Sequence, residues 1–235
     1  TDLAEEYNRP GEFSTLIGWE WSAIPGGANL HRVVISDASN ETAQKFQPFG
    51  LTDSPYPEDL WAWLDETSRD TGADFVAIPH NSNISKGYMF DLRTLRGSAI
   101  DQDYVLRRMK WEPIVEITQI KGDSETHPTL ASDDSFADFE EYPYYIQRSE
   151  TDYQAEHGDY IRSALKRGLG LGVALGVNPY QFGVIGSTDS HTALSSAEED
   201  NFHGKLATDS IPERKSLRRM TNSGSSGWAM SASGL

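Results

Sequence analysis

The sequence predicts an α/β fold with a mainly parallel sheet. Short apolar runs of strand length alternate with stretches of helical spacing, and chemically capable residues fall at the ends of several runs. The first run, residues 14–19 (STLIGW), leads straight into Glu20. Residues 32–36 (RVVIS) and 74–78 (DFVAI) are rich in β-branched and apolar side chains, as buried strands are. Between them, residues 57–71 open on Pro-Glu-Asp, a favourable first turn, and carry Leu60, Trp61 and Leu64 at helical spacing. Residues 101–110 form a shorter helix ahead of the strand 114–118 (IVEIT). Residues 152–167 set Tyr160, Ile161, Ala164 and Leu165 on one side, with Gly168 as the stop. The last strand is 182–186 (FGVIG). Residues 121–144 read as a long functional loop. Residues 221–235 read as a Ser/Gly-rich tail, which leaves one domain over 1–220.

The chain has 235 residues, 37% hydrophobic and 11% aromatic, enough for a packed core. Its formal net charge of −16 repels nucleic-acid backbone and anionic lipid, so neither is expected as a partner. The same surface repels an anionic substrate, so a site for one must carry its own local positive charge. With no cysteine, disulfides, thiolate catalysis and Cys-ligated zinc are excluded. No apolar run is long enough to span a membrane. The chain begins at Thr1 rather than Met and reads as a segment of a longer protein. Its compartment stays open, a periplasmic or secreted parent included.

In parallel α/β sheets the carboxyl ends of the strands share one face, where sites are built. Four runs offer metal-type ligands there. Glu20 ends the first, His80 the third, Asp189 and His191 the last, while Glu116 lies in the fourth ahead of Lys121 and Glu125. Glu20 sits between Trp19 and Trp21, where an unpaired carboxylate is costly to bury; a bound cation is favoured over an exposed edge position. Asp189 and His191, two residues apart, can reach one cation or two adjacent ones; a capped turn is the alternative. His80 alone would more often be structural, but Asn81 and Asn83 beside it suggest a polar pocket. His31 follows Glu20 by eleven residues, enough for a loop to leave the strand end and return to the same face. Arg32 either meets substrate oxygens or pairs with a surface acid. Lys121 is the local cation for an anion, or is simply solvated. Asn29, Glu125 and His127 are weaker substrate-side candidates. Mixed His/carboxylate ligation without Cys fits zinc, manganese or iron.

Taken together, GWEWS, NLHRVV, IPHNSN, VEITQIKGDSE, GVNPYQFGVIGSTDSHT and EEDNFHGK resemble the DUF3604 family, over about Tyr7 to about Met230. That family is related to the polymerase and histidinol phosphatase (PHP) superfamily of metal-dependent phosphoesterases. The resemblance implies a partial, distorted PHP-type (TIM-like) barrel with two or three divalent metal ions. It implies hydrolysis of a small anionic substrate, a phosphate or sulfate ester, by a metal-activated water. Glu20 matches the family's bridging Glu, His31 the His of its Asn-Leu-His-Arg segment, and His80 the His after a strand-terminal proline. Asp189 and His191 match its closing Asp-x-His, and Glu116 lies in its Val-Glu segment. The His-x-His and Asp-His motifs that open PHP-type proteins do not occur here. On this reading Glu20, His31, His80, Asp189 and His191 bind metal, Lys121, Arg32 and Glu116 act in catalysis, and Asn29, Asn81, Asn83, Glu125 and His127 contact substrate. Two other classes remain: a metal- and anion- or glycan-binding module without turnover, for which the many Trp and Tyr residues suit sugar stacking, and a purely structural fragment.

Overall fold

Side-chain alternation in three successive strands sorts tryptophan, valine and phenylalanine to one face of a sheet. These strands are β1 (Ile17–Trp21), β2 (Arg32–Ser36) and β3 (Phe75–Pro79), and they pair antiparallel in the order β1-β2-β3. The structure, a computed structural model, describes residues 1–145, 153–192 and 205–206. The tail expected at 221–235 lies outside the described residues. Register places Trp21 opposite Arg32 and Arg32 opposite Pro79, with Trp19, Val34 and Ala77 one step along. Trp21, Val34, Phe75 and Ala77 are buried in one core cluster. Period-two alternation sends Gly18, Glu20, Val33 and Ile78 to the opposite face. Gly18 is needed there, because a Cβ would stand 2.8 Å from the Val34 carbonyl oxygen.

Helices cover the core face. After α1 (Asp2–Tyr7) and α2 (Asn40–Ala43), α3 (Pro57–Thr71) begins with Pro57 and buries Leu60, Trp61 and Leu64. It ends at Gly72, whose φ of 76° is the left-handed cap that glycine adopts without strain. In α4 (Gln102–Trp111), the Asp101 side chain accepts from the Tyr104 amide at 2.9 Å and caps the first turn. Val105 and Trp111 turn inward, packing α4 beside α3. The second sheet, in the order β5-β4-β6, joins β4 (Ile114–Gln119) to β5 (Gly122–Asp123) antiparallel and to β6 (Gly183–Gly186) parallel. β4 also packs beside β3. Among the described residues no helix is long and apolar enough to cross a membrane.

The mainly parallel, TIM-like barrel expected from the sequence is not the architecture. The described residues form two three-stranded sheets, mostly antiparallel, and no closed barrel. The connection from Trp21 to Arg32 is ten residues with only a short 3₁₀ turn, Pro25–Gly27. A parallel crossover needs a dozen or more residues and usually a helix, so this loop reverses the chain instead. The first strand also begins and ends later than expected, so Glu20 lies inside β1 rather than after it. The expected helix at 152–167 is α5 (Ile161–Leu175). Gly168 does not stop it; a Cβ there would meet Asn178 Oδ1 at 2.2 Å, so glycine serves close packing, and Gly176 supplies the left-handed cap.

Candidate metal centre

Antiparallel pairing decides which residues meet. Glu20 lies near the end of β1, His31 just precedes β2, and His80 just follows β3. In a meander these three positions fall at the same end of the sheet. Alternation puts residues 20, 31 and 80 on the same face, opposite the Trp21–Arg32 core face. One oxygen, Glu20 Oε1, lies 2.6 Å from His31 Nδ1 and 3.1 Å from His80 Nε2. The main chain braces the arrangement: the His80 amide donates to the His31 carbonyl, and the Asn29 side-chain amide donates to the His80 carbonyl at 2.9 Å.

Together Glu20, His31 and His80 form one possible metal-binding triad, with a candidate ligand atom from each within 4.8 Å of the others. The donor set fits a divalent cation. Ligands about 2 Å from a metal stand roughly 3 Å from each other, the scale of the contacts seen. His31 Nε2 and His80 Nδ1 are also buried without a protein partner, a cost that bound water or an ion relieves. Electrostatics agree. Burial would push the Glu20 carboxyl up, but the two imidazoles hold it far below the usual range. Burial lowers His31 despite Glu20, favouring the neutral ring that a metal requires. Burial also opposes the charge on His80, yet Glu20, Glu116 and Asp189 raise it. The two histidines thus shift in opposite directions, because His80 faces more negative charge.

Beside the triad, the parallel β4–β6 pair makes a second cluster. The two strands run together, so the residues beyond their carboxyl ends meet: Lys121 Nζ and Lys205 Nζ both bind Asp189 Oδ2. Lys121 and Lys205 are 8% and 7% exposed, so both ammoniums share one carboxylate away from bulk water. Asp189 is held below its usual range by these lysines against the opposing effect of burial; burial and the charge of Lys121 push Lys205 down. Glu116, buried in β4, is pushed up to about 7, chiefly by burial.

The other expected site residues divide sharply. Arg32 is not at the triad. It is 1% exposed on the core face, where its Nε donates to Glu112 Oε1 at 2.9 Å. Strand alternation places it opposite His31's side, and its partner is a buried core carboxylate rather than the surface acid expected as the alternative. Asp189 joins the lysines rather than the Glu20 set. His191 is half-exposed, with Nδ1 2.7 Å from the Asp189 carbonyl oxygen. Asn29, Asn81 and Asn83 surround His80 but mostly hold loops together. Asn81 accepts from Gln119 at 2.7 Å, and Asn83 donates to the Lys121 carbonyl at 2.9 Å. Asn81 Nδ2, buried and unpartnered, remains able to donate. Glu125 pairs with Arg162, and His127 with Glu141, rather than with any residue of the triad. Sequence reasoning missed Lys205 and Gln119. The EEDNFHGK segment carried a signal for the first, since a lysine among acids is a natural partner for the Asp-x-His motif upstream.

A family described as "Protein of unknown function (DUF3604)" matches the chain over residues 1–235. No protein of curated function matches it, and no solved structure does.

Proposed function

The chain belongs to the DUF3604 family, and from that premise we propose that it is a metal-dependent hydrolase of phosphate or sulfate esters. The observation that carries this reading is one carboxylate shared by two imidazoles at one end of a sheet, on the face away from the core, beside a buried lysine pair. Glu20, His31 and His80 hold the cation. A bound divalent cation supplies Lewis acidity and lowers the pKa of a water at the reacting centre. Zinc, manganese and iron all suit the donors, and a second or third ion is part of the same proposal. So is kinship with the PHP superfamily, which rests on the shared motifs.

Charge balance favours an anionic substrate. Three carboxylates (Glu20, Glu116, Asp189) face two ammoniums (Lys121, Lys205), which leaves at most about one negative charge when both imidazoles are neutral, and less where Glu116 keeps its proton. A divalent cation reverses that sign locally, inside a molecule of net charge −16. Lys121 and Lys205 then hold the ester's non-bridging oxygens and stabilise the charge that builds on them. Glu116, raised chiefly by burial and further by the charge of Asp189, holds or releases a proton beside the triad.

The test is elemental analysis of protein purified without chelator, with hydrolysis of 4-nitrophenyl phosphate and 4-nitrophenyl sulfate. Turnover is expected to vanish in EDTA and return with one of the three metals. Glu20→Gln is expected to lose at least ten-fold in metal affinity. Unchanged metal content in both Glu20→Gln and His80→Ala sinks the reading. A second reading is a metal- and anion-binding module, since the imidazole and lysine clusters bind a cation and an anion without requiring turnover; saturable sulfate or phosphate binding without turnover selects it.

A further inference from the structure

Away from the triad lies a cavity of about 430 Å³ whose lining includes Pro25, Pro55, Tyr56, Lys86, Tyr88 and Leu95. Its size is within the range of small-molecule sites. Two of its walls are the loops that carry the triad's histidines. Gly26 is five residues before His31, and Lys86 six after His80, so chain length alone keeps this cavity within about 20 Å of the triad. The loops are tied together: Lys86 Nζ donates to the Gly26 carbonyl at 2.7 Å, and the Asn29 amide donates to the Ile84 carbonyl.

The walls are built to be rigid. Asp159, fully buried, accepts from Ser85 Oγ at 2.7 Å and from the Gly87 amide at 2.6 Å, which clamps the segment bearing Lys86 and Tyr88. Lys86 itself holds a left-handed φ of 54°, a conformation disfavoured for lysine and sustained by that clamp. Its ammonium sits 4.9 Å from the Tyr145 ring. Across the cavity, Arg96 stacks on the Tyr56 ring at 3.7 Å and is itself anchored by Glu58 and Asp59.

The lining pairs the apolar faces of tyrosine, proline and leucine with the Lys86 ammonium and two phenolic hydroxyls. A purely apolar ligand would strip water from the phenols and from the Lys86 donors that Gly26 does not use, with nothing in exchange. A polyanion meets the repulsion of the whole surface. A pyranose ring matches both halves, with an apolar C–H face for stacking and a rim of hydroxyls for hydrogen bonds. We propose that this cavity binds a neutral sugar ring, a reading independent of the hydrolase proposal.

Saturation-transfer NMR on the full chain in EDTA tests it, using glucose, galactose, mannose and N-acetylglucosamine, each as the free sugar and as a linear trisaccharide. At least one is expected to bind. Tyr88→Ala and Lys86→Ala are each expected to weaken its Kd at least five-fold, while Glu20→Gln leaves it within two-fold. Tyr88 is 46% exposed, so its truncation spares the core. No transfer from any of these sugars overturns the proposal, as does an equal loss in Glu20→Gln. Sugar binding without ester turnover supports the cavity and removes the hydrolase reading; turnover without sugar binding does the reverse.

Discussion

In the β1–β2–β3 meander, His31 precedes its strand while Glu20 and His80 stand at the ends of theirs; in the β4–β6 pair, Lys121 and Asp189 both follow theirs. Each sheet obeys its own geometry. Antiparallel strands bring a strand's start beside its neighbours' ends, whereas parallel strands align like ends. Two clusters arise that differ in charge: a carboxylate with two imidazoles on one sheet, a carboxylate with two ammoniums on the other. The comparison separates the group suited to a cation from the group suited to an anion. It also explains why neighbours in sequence part company. His31 faces Glu20, while Arg32, one residue on, points into the core.

The largest effect belongs to that core face. Glu112 accepts from Arg32 and Trp61 and lies 3.1 Å from Arg108 Nε, with all three charged groups buried. Glu112→Ala strands two guanidiniums and is expected to cost roughly 3–5 kcal/mol in urea unfolding. Arg32→Ala should destabilise in the same way. If instead Arg32→Ala kept full stability and lost activity, the assignment of Arg32 to the core would break. Next comes the opposite face, with the triad. At metal concentrations 100-fold above Kd, wild type is expected to gain about 2.7 kcal/mol, a gain that Glu20→Gln lacks. Thermal scans with and without EDTA read this directly. On the parallel pair, Lys205→Ala is expected to raise KM for an anionic ester about ten-fold while metal content stays within two-fold of wild type. A matching fall in bound metal would merge the two clusters into one.

The smallest effect lies beyond the β5 turn, in a pair of acids that serve neither cluster. Burial pushes Asp123 up to about 6 and Glu140 up to about 7, with Asp123 adding to the shift of Glu140. Both values lie above those of the unfolded chain, about 4. Their protonated forms therefore favour the folded state. That contribution is complete below about pH 4 and disappears as pH rises through 6 to 7. Glu140→Gln should flatten the slope of stability between pH 5 and 7. Because Glu140 is only partly buried, the gain at pH 7 is about 1 kcal/mol, or roughly 2–4 °C in Tm. An unchanged slope would detach Glu140 from this pair.

Local physics alone marked much of this molecule. The apolar runs, the helix opened by Pro57 and the placement of Glu20, His31 and His80 around strand ends all follow from residue type and spacing. The DUF3604 motifs lay in the same segments, and the family match spans the chain. Strand direction was not legible, since an apolar run reads the same whether its neighbour runs with it or against it; only the ten-residue loop before Arg32 hinted at reversal. Tertiary structure alone decided that Arg32 belongs to the core and that Lys205 reaches Asp189 across sixteen residues of chain. It also decided that Asn29 braces a histidine. Sequence records which side chains have chemistry; pairing and alternation between distant strands choose the face each one occupies, and that choice separates a ligand from a buried counter-ion.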